Sequence, residues 1–183
     1  MALTDTYRRR LHDQALDQYG YVTTRDAAEL AVPAVELRKL AQRGGLERVA
    51  YGLYRFDDIP RTGRDQFMEA VLRVGPDAYL THDAVLALHD LGLANPRRIR
   101  VGIPRRARPR LPASVEIVQR RLDPVDLTEY EGIPSATVAR ALLDCRDLVM
   151  ADRLIGAAEE AARRGLLARR DARRVLAELG AVA

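Results

Sequence analysis

Cysteine occurs once in these 183 residues and lysine once, and each scarcity closes off a class of chemistry. With Cys145 alone, neither an internal disulfide nor a cysteine metal cluster can form. With Lys39 as the sole lysine, a nuclease-like set of carboxylates and lysine is not present. Nearly the whole basic complement is arginine, within 30 Lys plus Arg against 26 Asp plus Glu. That bias, with abundant alanine, is the usage of a GC-rich bacterial genome, so arginine number alone is discounted as a functional signal. No apolar run approaches the ~18 residues of a membrane span, and no basic flank precedes an apolar leader core. A cytoplasmic protein is expected. No glycine-rich loop has the spacing that cradles phosphate.

Histidine offers equally little. His82 and His89 stand seven apart, two helical turns and ~10 Å from each other. Two ligands of one metal on a helix stand four apart. Cys145 lies in the apolar run ALLDCRDLV and is read as a small buried hydrophobe. The expectation is therefore no catalytic residue, no metal and no cofactor.

What the chain does have is 48% apolar content, enough for a core in one domain or two small ones, and a net charge of +4 that favours acidic partners. Its most informative stretch is Tyr19 to Phe56, which reads as helix, turn, helix and β-hairpin. Thr23 is placed to cap a first helix, with Asp26 three residues on to complete a capping box. Pro33 suits the opening of a second helix, and Gly44 and Gly45 its end. At 100° per residue Pro33, Leu37, Leu40 and Ala41 fall on one side of that helix and Val35, Lys39 and Gln42 on the other, flanked by Arg38 and Arg43. Cations and an amide opposite a buried stripe suit a major groove, where Arg and Lys donate to guanine and Gln pairs with adenine. Leu46–Val49 and Leu53–Phe56 alternate around Gly52 as a hairpin. The candidate DNA-binding set is Ala34, Val35, Arg38, Lys39 and Gln42 for the groove, with Arg43 flanking it and Arg48, Tyr51 and Arg55 on the hairpin for the backbone. Thr24 and Arg25, opening the first helix, add phosphate contacts. A helical hairpin with an ordinary charged surface is the competing reading of the same segment.

Residues 4–18 are expected to form a preceding helix, with Leu3, Tyr7, Leu11, Ala15 and Leu16 on one stripe. The segment DDIPRTG, Asp57 to Gly63, reads as a linker, giving domains at 1–58 and 62–183. Beyond it a helix is expected over 64–74, a short strand at 78–80, a helix over 83–91, strands over 98–103 and 114–120, and helices over 137–149, 151–164 and 168–179. Between the two strands runs PRRARPRLP, Pro104 to Pro112, whose prolines exclude a central strand. Its Arg105, Arg106, Arg108 and Arg110 have three readings: nucleic-acid contact, contact with an acidic partner, or a solvated hairpin tip. Charge is uneven. From Arg97 to Arg121 it sums to 9 − 1 = +8, whereas residues 1–57 sum to 9 − 8 = +1.

Three stretches carry a family resemblance. They are VTTRDAAELAVPAVELRKLAQRGGLERVAYGLYRF, then VGPDAYLTHDAVLALHDLGL from Val74 to Leu93, and EGIPSATVARALLDC from Glu131 to Cys145. In this order they resemble the AbiEi-type antitoxins of bacterial abortive-infection and toxin–antitoxin operons. Thr81, Asp83 or Ala84, Asp90 and Ala141 depart from the residues that pattern expects, and Pro33 stands near an expected serine cap. The resemblance implies an α+β chain, an N-terminal winged helix-turn-helix followed by a mixed α/β antitoxin domain. It implies a non-enzymatic autorepressor binding inverted repeats in the double-stranded DNA of its own operon promoter. It also implies a partner, a nucleotidyltransferase-like toxin that the second domain counters. Two alternatives stand beside it: an antitoxin acting mainly by protein contact with little DNA binding, and a ligand-sensing winged-helix regulator.

Overall fold

The structure, a computed structural model, describes residues 2–92, 94–106 and 110–180. Its contacts divide into two units, Met1–Arg73 and Val74–Ala183.

The first unit opens with α1 (Ala2–Leu16), followed by the short strand β1 (Tyr21–Thr23). Next come α2 (Thr24–Glu29) and α3 (Ala34–Arg43), then the hairpin of β2 (Leu46–Ala50) and β3 (Leu53–Phe56), and α4 (Asp65–Val74). The three strands form an antiparallel sheet in the order β1-β3-β2. Its core joins Leu11 and Ala15 of α1, Val22, Ala27, Leu37 and Leu40 of the next elements, and Tyr54 and Phe56 of the hairpin. The expected α1 stripe thus holds at Leu11 and Ala15, but Leu16 is exposed in the last turn. Strand β1 is absent from the sequence reading because three residues are too few for an alternation to register. The contact division falls one helix beyond the Asp57–Gly63 segment, so α4 goes with the first unit. A buried ion pair explains this: Asp65 in the first turn of α4 reaches Arg55 of β3 at 3.1 Å, with side chains 7% and 3% exposed.

The second unit is a mixed five-stranded sheet in the order β6-β5-β4-β8-β7. The strands are β4 (Tyr79–Leu80), β5 (Ile99–Ile103), β6 (Val115–Gln119), β7 (Leu127–Tyr130) and β8 (Ile133–Ala136). Helix α5 (Asp83–Leu88) packs on β5 and on α6 (Val138–Asp144), and α6 in turn meets α7 (Ala151–Arg163) and α8 (Arg169–Gly180). The expected alternation of β5 is realised, with Ile99, Val101 and Ile103 buried. Opposite Gly102 the Tyr79 ring occupies the space a side chain would fill; a Cβ there would lie 2.3 Å from its Cε2. The tight hairpin of β7 and β8 was not legible in sequence, because Pro134 and the exposed Leu127, Thr128 and Glu129 break the alternation.

The strand pairing excludes a hairpin tip at Pro104–Pro112. Strands β5 and β6 pair in parallel, Ile99 with Val115 through Ile103 with Gln119. A hairpin tip joins antiparallel neighbours, so this segment is instead a return connection between parallel strands.

Candidate nucleic-acid interface

The helix α3 starts on Pro33, whose extended backbone (φ −58°, ψ 134°) leads directly into Ala34. It ends at Gly44 and Gly45, both at φ +84°, a conformation that a side chain disfavours. Leu37 and Leu40 are buried, while Val35 is 44% exposed and Ala34, Arg38, Lys39, Gln42 and Arg43 are also on the surface. The expected two faces are therefore present, with Pro33 itself exposed rather than on the buried side. Lys39 Nζ donates to Glu36 Oε1 at 2.8 Å, one turn away. With the Lys39 ammonium half-exposed, such a pair contributes about 1 kcal/mol and can exchange for another anion. Arg43 lies in the last turn, where a cation complements the helix dipole.

The start of α2 is fixed by the predicted capping box. The Asp26 amide donates to Thr23 Oγ1 at 3.1 Å, and the Thr23 amide donates to Asp26 Oδ2 at 2.6 Å. The next amide, that of Thr24, donates to the Gly52 carbonyl at 2.9 Å, which brings the opening of α2 against the hairpin turn. Gly52 sits at φ +70°, and a Cβ on it would be 3.0 Å from Thr24 Oγ1. Tyr51 at the turn is 95% exposed, and Thr24, Arg25 and Arg48 are exposed as well. Arg25 Nε donates to Glu29 at 3.0 Å along the surface of α2.

Arg55 does not belong with these residues. It is 2% exposed, and its guanidinium donates to the carbonyls of Phe56 at 3.0 Å and Ile59 at 2.9 Å and to Asp65 Oδ2 at 3.1 Å. It also lies 5.7 Å from the Tyr21 ring centre. The reason is tertiary: all four residues of β3 are buried, and the chain that follows brings the carbonyls of Phe56, Ile59 and Pro60 and the Asp65 carboxylate onto the Arg55 guanidinium. The alternation that places Arg55 outward assumes a two-stranded hairpin with one free face. Arg8 is drawn inward in a milder way, pairing with Asp58 at 2.8 Å over the Phe56 ring.

In the second unit the arginine concentration is partly internal. Arg100 pairs with Asp83 at 2.6 Å, and Arg120 with Asp144 at 2.7 Å. Asp144 is buried and also accepts from Arg140 of the same helix; Arg140 and Asp144, four apart, are the sequence signal for this cluster. Burial alone would raise the Asp144 carboxyl, but the hydrogen bonds from Arg140 and Arg120 outweigh it and hold the group below its ordinary range. Of the segment's own arginines, Arg105 pairs with Asp77 at 2.6 Å on the surface, and Arg106 and Arg110 are exposed. Arg108 lies outside the described residues. Burial, with Asp83 and Asp144 adding to it, pushes the Cys145 thiol up to about 12. A thiol held protonated is inert as a nucleophile. Burial likewise lowers the pKa of His82, which keeps that imidazole neutral. Among the described residues no group of three or more His, Cys, Asp or Glu is arranged to hold a metal.

Residues 9–56, running from α1 to the end of β3, match the family model described as a transcriptional regulator, AbiEi antitoxin. No curated protein matches the chain. Among solved structures, a crystal structure of the RV2827C protein from Mycobacterium tuberculosis is similar over 96% of this chain and 78% of its own, at 20% identity and a TM-score of 0.44. No described helix is long and apolar enough to cross a membrane.

Proposed function

We propose that this chain, whose residues 9–56 match the family model of AbiEi antitoxin regulators, is the DNA-binding autorepressor of a toxin–antitoxin operon. Its first unit acts as a winged helix-turn-helix on inverted repeats in the operon's own promoter. Helix α3 enters the major groove with Ala34, Val35, Arg38, Lys39 and Gln42, and Arg43 flanks it. Thr24, Arg25, Arg48 and Tyr51 hold the sugar–phosphate backbone from either side. The second unit counters the partner, a nucleotidyltransferase-like toxin, and Arg105, Arg106, Arg108 and Arg110 are candidate contacts to that partner or to nucleic acid.

The observation that carries this reading is the division of α3: Leu37 and Leu40 are buried in the unit while Val35, Arg38, Lys39 and Gln42 stand outside it. The groove code gives such side chains partners on base edges, and the backbone contacts give affinity without sequence information. Gel-shift titrations of Lys39→Ala and Arg38→Ala on the operon promoter test it. Each is expected to lose ~1–3 kcal/mol of discrimination against unrelated duplex. Unchanged affinity and unchanged specificity reject the assignment.

A second reading, an antitoxin that works mainly by protein contact, draws on the charge distribution. Residues 1–57 sum to only +1, while Arg97 to Arg121 sum to +8. That reading expects weak, salt-insensitive DNA binding by the intact protein. The repressor reading expects log affinity to fall with log salt at ~0.9 per phosphate neutralised.

A further inference from the structure

Asp65, Glu69 and Arg73 recur every four residues along α4 and so share one stripe of that helix. Each reaches a different strand of the three-stranded sheet. Asp65 takes Arg55 of β3 in the buried pair described above. Glu69 Oε2 accepts from the Tyr21 hydroxyl of β1 at 2.7 Å, and burial together with this bond raises the tyrosine pKa. Arg73 donates from Nε to Glu69 Oε1 at 2.7 Å and from Nη2 to the carbonyl of Val49 on β2 at 3.2 Å. Val49 is the residue at which the β2–β3 register breaks: Arg48 pairs with Tyr54 and Ala50 with Leu53, leaving Val49 unpaired between them. A bulge leaves the extra residue outside the ladder and re-aims the strand beyond it. The carbonyl it leaves over is the one the Arg73 guanidinium takes, and beyond it lies the turn that carries Tyr51.

We infer that Arg73 is a positioning residue for the wing: by holding the Val49 carbonyl it fixes the aim of the β2–β3 turn, and so sets where Tyr51 meets the DNA backbone. This rests on the DNA-binding reading above. Arg73 itself contributes no contact to the duplex. Its side chain is 16% exposed and committed to Glu69 and Val49. Its effect on binding therefore has to pass through the hairpin, and that gives it a signature distinct from a general loss of stability.

The test uses the full-length chain in four forms: wild type, Arg73→Met, Tyr51→Ala and the double variant. Amide hydrogen exchange at Ala50 and Leu53, which flank the turn, is expected to quicken about 10-fold in Arg73→Met, the loss of one charged hydrogen bond. Amides of α3 should remain as in wild type. Promoter affinity at a fixed salt concentration should fall by a similar factor, roughly 2- to 12-fold, in Arg73→Met and in Tyr51→Ala, the loss of one hydrogen bond to the backbone. The double variant should be no weaker than the weaker single, because both changes remove the same Tyr51 contact, and Arg73→Lys should restore part of the affinity. Additive losses in the double variant, or wild-type exchange at Ala50 and Leu53, overturn the inference. A wild-type protein with no salt-dependent promoter binding overturns the DNA reading and the wing's role in it. The exchange measurement still decides, in that case, whether Arg73 holds the turn.

Discussion

Replacing Arg55 with methionine removes a guanidinium from inside the first unit and leaves Asp65 buried beside an apolar side chain. Arg55 donates to two main-chain carbonyls within 3.0 Å and to the Asp65 carboxylate at 3.1 Å, and the two side chains are 3% and 7% exposed. Solvent screening is negligible at that burial. Breaking one partner of a buried pair costs roughly 3–5 kcal/mol, because the remaining charge has no compensation. Asp65 keeps its bonds from Thr62, the amide at 2.9 Å and the hydroxyl at 2.8 Å, which places the expected loss toward the lower end. For a unit of 60–100 residues, 1 kcal/mol lowers the melting temperature by about 4–8 °C, so a fall of at least about 12 °C is expected. Differential scanning calorimetry on the full chain reads it. The double replacement Arg55→Met with Asp65→Leu should recover much of the loss, since a well-packed apolar pair often matches a buried ion pair. A phosphate-binding Arg55 would give the reverse pattern, weakened DNA binding with unchanged melting. That result would refute the burial argument.

Leu37→Ala on the inner face of α3 is expected to destabilise the first unit by roughly 2–5 kcal/mol in urea denaturation, whereas Val35→Ala on its outer face should stay within about 0.5 kcal/mol. Equal costs would mean that the two faces are not distinct. Acid stability reports on Asp144. Its folded carboxyl titrates below the unfolded value of about 3.9, so the unfolded chain binds more protons there and stability rises with pH across that window. The contribution is complete above the unfolded value and is lost as pH falls through the folded one. The melting temperature of wild type should therefore drop more steeply between about pH 5 and pH 3 than that of Asp144→Asn. Parallel curves would show that the Arg120–Asp144–Arg140 cluster is not coupled to folding.

Local chemistry was largely written in the chain. Thr23 and Asp26 three apart give the capping box, Gly44 and Gly45 end α3, and the spacing of Leu37 and Leu40 against Val35, Lys39 and Gln42 divides its faces. These features depend on neighbours within one turn, which a sequence displays directly. Three matters waited for the tertiary structure: the burial of Arg55, the assignment of α4 to the first unit, and the parallel pairing of β5 with β6. Each depends on which distant segment lies alongside. The segment after β3 and the first turn of α4 cover the face that carries Arg55, and Asp65 compensates the arginine that this buries. Side-chain periodicity records which residues share a face, but the free energy that decides whether that face meets water or protein comes from contacts tens of residues away.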